Sequence, residues 1–108
     1  MHECSIAQNA IELAEKAGGG RRIKQITLEI GELAGVAADA LAFCFDLATE
    51  GTLAEGATLE ICVVEGIAEC QLCNRRFPVR SRLVLCDCGS SRIRLVHGEE
   101  LNLKSIGF

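Results

Sequence analysis

Hydrophobic positions along the chain change period several times, and each change predicts an element. Ile6, Ala10, Leu13, Ala14 and Ala17 recur at helical spacing while Glu12, Glu15 and Lys16 fall elsewhere, the pattern of an amphipathic helix. Ser5-Ile6-Ala7-Gln8 has the form of a capping box and Gly18-Gly19-Gly20 supplies a stop, so the helix is expected over residues 5–17. After residue 22 the period shortens to two: Ile26, Leu28 and Ile30 alternate with Thr27 and Glu29 up to Gly31, as in a half-buried strand. A second helical stripe runs through Leu41, Cys44, Leu47 and Ala48, between Asp39 and Gly51. Residues 58–65 read as a strand with Leu59, Ile61 and Val63 on one face, and residues 101–106 as another. The expected fold class is α+β, with the order α-β-α-β, an inserted segment, then β. A small three-stranded sheet with two helices on one face buries such short elements most simply.

Length and composition fit that picture. The 108 residues suit one compact unit with a small appendage, and 49% hydrophobic residues with a single proline indicate a globular chain. With four Phe and neither Trp nor Tyr, the core must be aliphatic and little surface is offered for stacking unpaired bases. The start of the chain has no basic and apolar leader pattern, and the apolar stretch 34–48 is broken by Asp39 and Asp46, so neither export nor a membrane span is expected.

The inserted segment differs in chemistry from its surroundings. Residues 70–94 hold four of the seven cysteines and six arginines against one acid, a local balance of +5, while the remainder carries five basic against fourteen acidic residues, or -9. So short a segment needs something other than a hydrophobic core to hold it. The expected organisation is 1–67 and 96–108 as one α/β domain, with 68–95 as the insert.

Cysteines clustered in a chain expected in a reducing cytosol read as metal ligands before disulfides. Cys70-Gln71-Leu72-Cys73 is a C-x2-C knuckle, and Cys86-Asp87-Cys88-Gly89 follows after twelve residues. Two thiolate pairs joined by a loop suit a closed tetrahedral zinc site. The second pair is C-x-C, one residue shorter than usual, and a turn that Gly89 permits would be needed to aim both sulfurs at one ion. A redox dithiol and an iron–sulfur cluster are the rival readings. Cys44 and Cys62 read as small buried hydrophobes, and Cys4 is left open.

Met1-His2-Glu3 precedes the helix cap and contains one of two histidines. The terminal amine, the His2 backbone nitrogen and the His2 imidazole Nδ1 close fused five- and six-membered chelate rings around one ion. A planar set of nitrogens suits Ni(II) or Cu(II). Glu3 or a distant side chain completes it, with His97 the distant candidate. An ordinary surface histidine is the plainer reading of both.

Met1-His2-Glu3, Ser5-Ile6-Ala7, Ile30-Gly31-Glu32-Leu33, Glu50-Gly51-Thr52-Leu53-Ala54 and the late cysteine pairs together bring a family into view. The chain resembles, end to end, the HypA/HybF nickel metallochaperones of [NiFe]-hydrogenase maturation. The resemblance implies a nickel domain carrying an inserted zinc domain. It implies nickel on His2 with the Met1 amine and Glu3, and zinc on Cys70, Cys73, Cys86 and Cys88. It also implies transfer rather than catalysis, with the maturation GTPase HypB and the hydrogenase large-subunit precursor as partners, and a homodimer among the options for assembly. The second cysteine pair departs from the family's usual proline-containing C-x2-C.

The rival from another class is a zinc-ribbon module that binds nucleic acid or protein through Arg75, Arg76, Arg80, Arg82, Arg92 and Arg94. The acidic remainder and the scarcity of aromatics favour a solvated face or a dock for an acidic protein.

Overall fold

The computed structural model describes residues 2–108. Among them the elements are α1 (Glu3–Gly18), β1 (Gln25–Gly31), α2 (Ala38–Ala48), β2 (Thr58–Val64), β3 (Ile67–Cys70), β4 (Arg76–Pro78), β5 (Ile93–His97) and β6 (Leu101–Gly107). They form an α+β fold with two three-stranded sheets, ordered β2-β1-β6 and β4-β3-β5. The first sheet holds the three strands expected from the alternating patterns; the second is built of strands of three to five residues, too short for alternation to mark them. Among the described residues no helix is long and apolar enough to cross a membrane.

The chain divides into two compact units. One comprises residues up to Glu29, Gly35–Cys62 and Asn102–Phe108; the other comprises Ile30–Ala34 and Val63–Leu101.

In the first unit α1 packs on α2, and both buried stripes are rotated from the expected ones. On α1 the buried residues are Ala7, Ala10, Ile11, Ala14 and Gly18, while Leu13 is 54% exposed. The alanines let the helices approach closely, Gly18 makes room for the Phe108 ring, and Leu41 and Phe45 are the large buried residues of α2. Leu47, expected on the α2 stripe, is exposed. Helix α1 also starts two residues earlier than expected. His2 occupies its cap position without a side-chain cap bond, and the first helical bond runs from the Ile6 N–H to the His2 carbonyl. The Ser5–Gln8 capping box is therefore not formed.

Ile26, Thr27 and Leu28 of β1 are all buried, as befits the central strand of its sheet. Glu15 accepts the Leu53 N–H, and Arg22 donates to the Glu55 carbonyl, so the loop after α2 is tied to α1 and to the approach of β1. At the far end of the chain, Phe108 lies under the Arg21 guanidinium, 4.0 Å from ring centroid to Cζ, a cation–π contact.

In the second unit β3 is flanked by antiparallel partners. Glu69 faces Arg76 of β4 on one side and Arg94 of β5 on the other. Its two carboxylate oxygens each accept a guanidinium at 2.9 Å. These bonds hold the carboxyl below its usual range, Arg76 first and Arg94 second. Residues Ile30–Ala34 pack into this unit through backbone bonds: Gly31 N–H to Glu100 O, Glu32 N–H to Val64 O and Leu33 N–H to Gly98 O.

Candidate metal centre

Two short turns carry the thiols. Cys70 closes β3, and its carbonyl accepts the Asn74 N–H at 2.9 Å while its own N–H donates to the Arg75 carbonyl. Asn74 adopts φ 63°, a left-handed conformation that asparagine tolerates better than most residues. The second turn is closed by the Gly89 N–H donating to Cys86 O and the Cys86 N–H to Ser90 O, with Gly89 at φ 88°. In each turn one sulfur is buried and one exposed: Cys70 and Cys86 inside, Cys73 and Cys88 outside. Arg75 of the first turn and Asp87 of the second meet at 3.2 Å.

The structure brings Cys70, Cys73, Cys86 and Cys88 together, with all four sulfurs within 4.8 Å of one another. The closest pairs, Cys70–Cys88 and Cys73–Cys86, stand 3.6 Å apart. Four sulfurs at a Zn–S distance of about 2.3 Å would form a tetrahedron with edges of roughly 3.8 Å, so the cluster is suited to zinc despite its shortened second pair.

Its protons are unevenly held. The Cys73 N–H, then the Leu72 N–H and the Cys88 and Cys73 thiols, pull Cys70 down to about 6 against burial. Cys88 accepts the Ser90 N–H, which favours its thiolate, but its contacts with Cys86, Cys70 and Cys73, together with burial, outweigh this and push it up to about 12. Cys73 is also raised: the Arg75 N–H lowers it, and the Cys86 contact, burial and the Cys70 contact prevail. One thiolate is thus ready at neutral pH, and Cys73 and Cys88 need a cation to draw off their protons.

The nickel candidates are placed as follows. Met1 lies outside the described residues. His2 is exposed at the start of α1. The Glu3 carboxylate accepts the Ala37 N–H at the start of α2, at 3.1 Å, and that bond is the main reason its carboxyl titrates below the ordinary range. His97 belongs to the second unit, where its Nδ1 lies 3.0 Å from Glu100 Oε2. The Gly98 N–H first, and His97 second, hold Glu100 below its usual range.

The three remaining cysteines correct one expectation. Cys44 is bonded to Cys4 in a disulfide, with Cα atoms 4.9 Å apart, and is not simply a small hydrophobe of α2. Forty residues separate the two in sequence, a distance at which no spacing rule operates. Cys62 is half-buried, near Lys104.

The basic appearance of the insert also changes. Arg76 and Arg94 pair with Glu69, Arg75 with Asp87, and Arg82 with Glu99 while donating to the Leu33 carbonyl. Glu69 and Glu99 lie just outside the basic segment 70–94. Taken over the folded unit, six arginines meet six acids, Glu32, Glu65, Glu69, Asp87, Glu99 and Glu100, for a net charge of zero. Such a unit lacks the electrostatic excess of a general nucleic-acid binder.

An α+β domain joined to a four-thiol metal unit defines a metal-handling protein. Comparison with known proteins makes this specific. The family model described as hydrogenase/urease nickel incorporation, metallochaperone, HypA matches residues 1–108, and the chain belongs to that family. The hydrogenase maturation factors HypA of Geobacter metallireducens and Geobacter sulfurreducens are 50% and 51% identical over 107 residues, covering 98% of this chain and 97% of theirs. A solution structure of a HypA protein superposes with a TM-score of 0.73 at 25% identity, covering 98% of this chain and 94% of that one. The solution structure of the Ni metallochaperone HypA from Helicobacter pylori gives 0.70 at 24% identity, over 98% and 96%, and shares the fold.

Proposed function

We propose that this chain is a cytoplasmic nickel carrier for [NiFe]-hydrogenase maturation. It binds Ni(II) at its amino terminus through Met1, His2 and Glu3, and passes it with HypB toward the large-subunit precursor. Membership of the nickel-incorporation family across the whole chain is the observation that carries this reading. The exposed position of His2 at the head of α1 supports it. The N–H groups of Glu3, Cys4 and Ser5 precede the first helical bond, so metal binding there competes with no helical hydrogen bond. Glu3 serves through its main chain more readily than through its carboxylate, which is engaged by Ala37. His97, paired with Glu100, is the less ready fourth donor.

Cys70, Cys73, Cys86 and Cys88 hold zinc, whose charge stabilises the remaining thiolates and fixes the two turns. The domain scheme is a nickel-binding part, 1–67 with 96–108, and a zinc-binding part, 68–95. The function is transfer: an open terminal chelate gives up its ion when a partner's ligands displace its own, without chemical turnover.

The test is nickel titration of untagged protein beside two variants. His2→Ala should lose specific nickel binding. A short extension ahead of Met1 should do the same, because it converts the amine to an amide. Zinc content should be unchanged in both. Undiminished binding of one nickel by the extended protein would refute the terminal chelate.

A further inference from the structure

The Cys4–Cys44 pair lies outside the thiol cluster, and nothing in the transport reading uses it. Cys4 is exposed in the first turn of α1, two residues beyond His2, and Cys44 is buried on the inner stripe of α2. Their Cα separation of 4.9 Å falls in the range from which two thiols close a disulfide without backbone movement. Packing of α1 on α2 and the Glu3–Ala37 hydrogen bond hold the two helices together independently of the sulfurs, so the pair stays in place when reduced. Only Cys4 opens to solvent, and exchange with a small thiol is governed by access to the attacked sulfur.

We propose that Cys4 is a sulfur donor to nickel bound at the amino terminus, and that the Cys4–Cys44 disulfide gates it. The inference rests on the terminal nickel reading. The Cα atoms of residues 2 and 4 are at most about 7 Å apart, being two peptide units apart, so the His2 imidazole and the Cys4 sulfur can close on one ion. Thiolate is a soft donor, and its addition to a nitrogen set changes both the affinity and the electronic spectrum of the metal. In the disulfide that donor is withheld.

The gate is opened by a low-molecular-weight thiol, such as glutathione. Its thiolate attacks the Cys4 sulfur, breaks the Cys4–Cys44 bond and releases the Cys44 thiolate, which takes up the proton given off by the attacking thiol. A second small thiol displaces Cys4 from the mixed disulfide and supplies its proton. One protein disulfide and two small thiols thus become two protein thiols and one small disulfide, with two electrons passing to the protein. The small disulfide closes the gate by the reverse steps. On binding nickel, Cys4 gives its proton to solvent.

The experiment uses the full-length, untagged, zinc-loaded protein, titrated with Ni(II) after equilibration with reduced or oxidised glutathione. Quenched alkylation and mass measurement report the state of Cys4 and Cys44. The reduced protein should show sulfur-to-nickel charge-transfer absorption in the near ultraviolet, and the oxidised protein should lose it. Cys4→Ser should lack the band in either buffer. Cys44→Ser, which leaves Cys4 without its partner, should show it once small-thiol adducts are removed. If His2→Ala loses nickel while Cys4→Ser binds with the affinity and spectrum of the reduced wild type, the gate is wrong and the terminal chelate stands. If neither substitution alters nickel binding, the terminal reading fails and the gate with it.

Discussion

Removing the metal from the thiol cluster should unfold the β4-β3-β5 sheet while leaving the helices formed. Between Ile67 and His97 the buried hydrophobic residues are Ala68, Cys70, Val79 and Cys86, and two of these four belong to the thiol cluster. Burial of Ala68 and Val79 contributes roughly 3 kcal/mol in all. Structural zinc in small thiolate sites contributes about 10–16 kcal/mol at neutral pH. Zinc bound there would therefore outweigh the apolar core of this segment several-fold, and no rearrangement of two small side chains would replace it. Cys73→Ser exchanges an exposed thiol for a hydroxyl that stays protonated at neutral pH, breaking the tetrahedral set without disturbing a buried side chain. Amide hydrogen exchange followed by mass measurement, on wild type with and without a chelator and on Cys73→Ser, reads the result. Exchange at Ala68, Phe77 and Leu95 should accelerate to near the unfolded rate, while Ala10, Ile11 and Ala14 remain protected. Unchanged protection in β3 and β5 after complete removal of the metal would refute the reasoning.

Reducing the Cys4–Cys44 disulfide should lower stability by roughly 4 kcal/mol, the chain-entropy value for a loop of its length. Urea denaturation followed by circular dichroism, with a phosphine reductant and excess zinc, checks this; an unchanged midpoint would show that the bond contributes nothing. Glu69→Gln should destabilise the protein at pH 7. Because the two arginines lower the folded carboxyl pKa, their stabilisation is complete above the ordinary carboxylate range and lost as pH falls through the folded value. The stability curves of variant and wild type should therefore converge in acid, and a pH-independent gap would contradict the linkage. Gly31→Ala places a Cβ 2.0 Å from the Gly98 carbonyl oxygen, so backbone must shift by about 1 Å or more to restore ordinary contact; thermal unfolding should register a large loss, whereas Gly56→Ala, with open space around its Cβ but a φ of 80°, should lose only the roughly 1–2 kcal/mol of left-handed strain.

Local spacing was the most legible part of the sequence. Alternation marked β1, and the paired thiols marked the cluster, because both signals arise within a few residues of one another. Helix faces were less legible. On α1 the run of small residues, Ala7, Ala10 and Ala14, was the one that packed, whereas Leu13 looked the better core residue by hydrophobicity alone; a close helix pair selects for small size. The Ser5–Gln8 capping box is not formed because α1 begins at Glu3, whose carboxylate bonds to Ala37, a partner thirty-four positions away that no local pattern names. The same limit hid the Cys4–Cys44 bond and the fork at Glu69. Charge counted along a segment also misled, since Glu69 and Glu99 fold back onto arginines from outside it.

The return of Ile30–Ala34 into the second unit bears on how this gene can be cut. A fragment expressed from residues 68–95 would carry all four cysteines, yet lack the Leu33 carbonyl that receives Arg82 and the Glu99 carboxylate that pairs with it. Extending it to 63–101 restores Glu99 but not Leu33, nor the Glu32 carboxylate that accepts the Gly66 N–H, nor the Leu33 N–H that donates to Gly98. A faithful recombinant piece would need the stretch 30–34 spliced ahead of residue 63 through a new linker. Protease trimming of the intact protein will not release that piece as one continuous peptide.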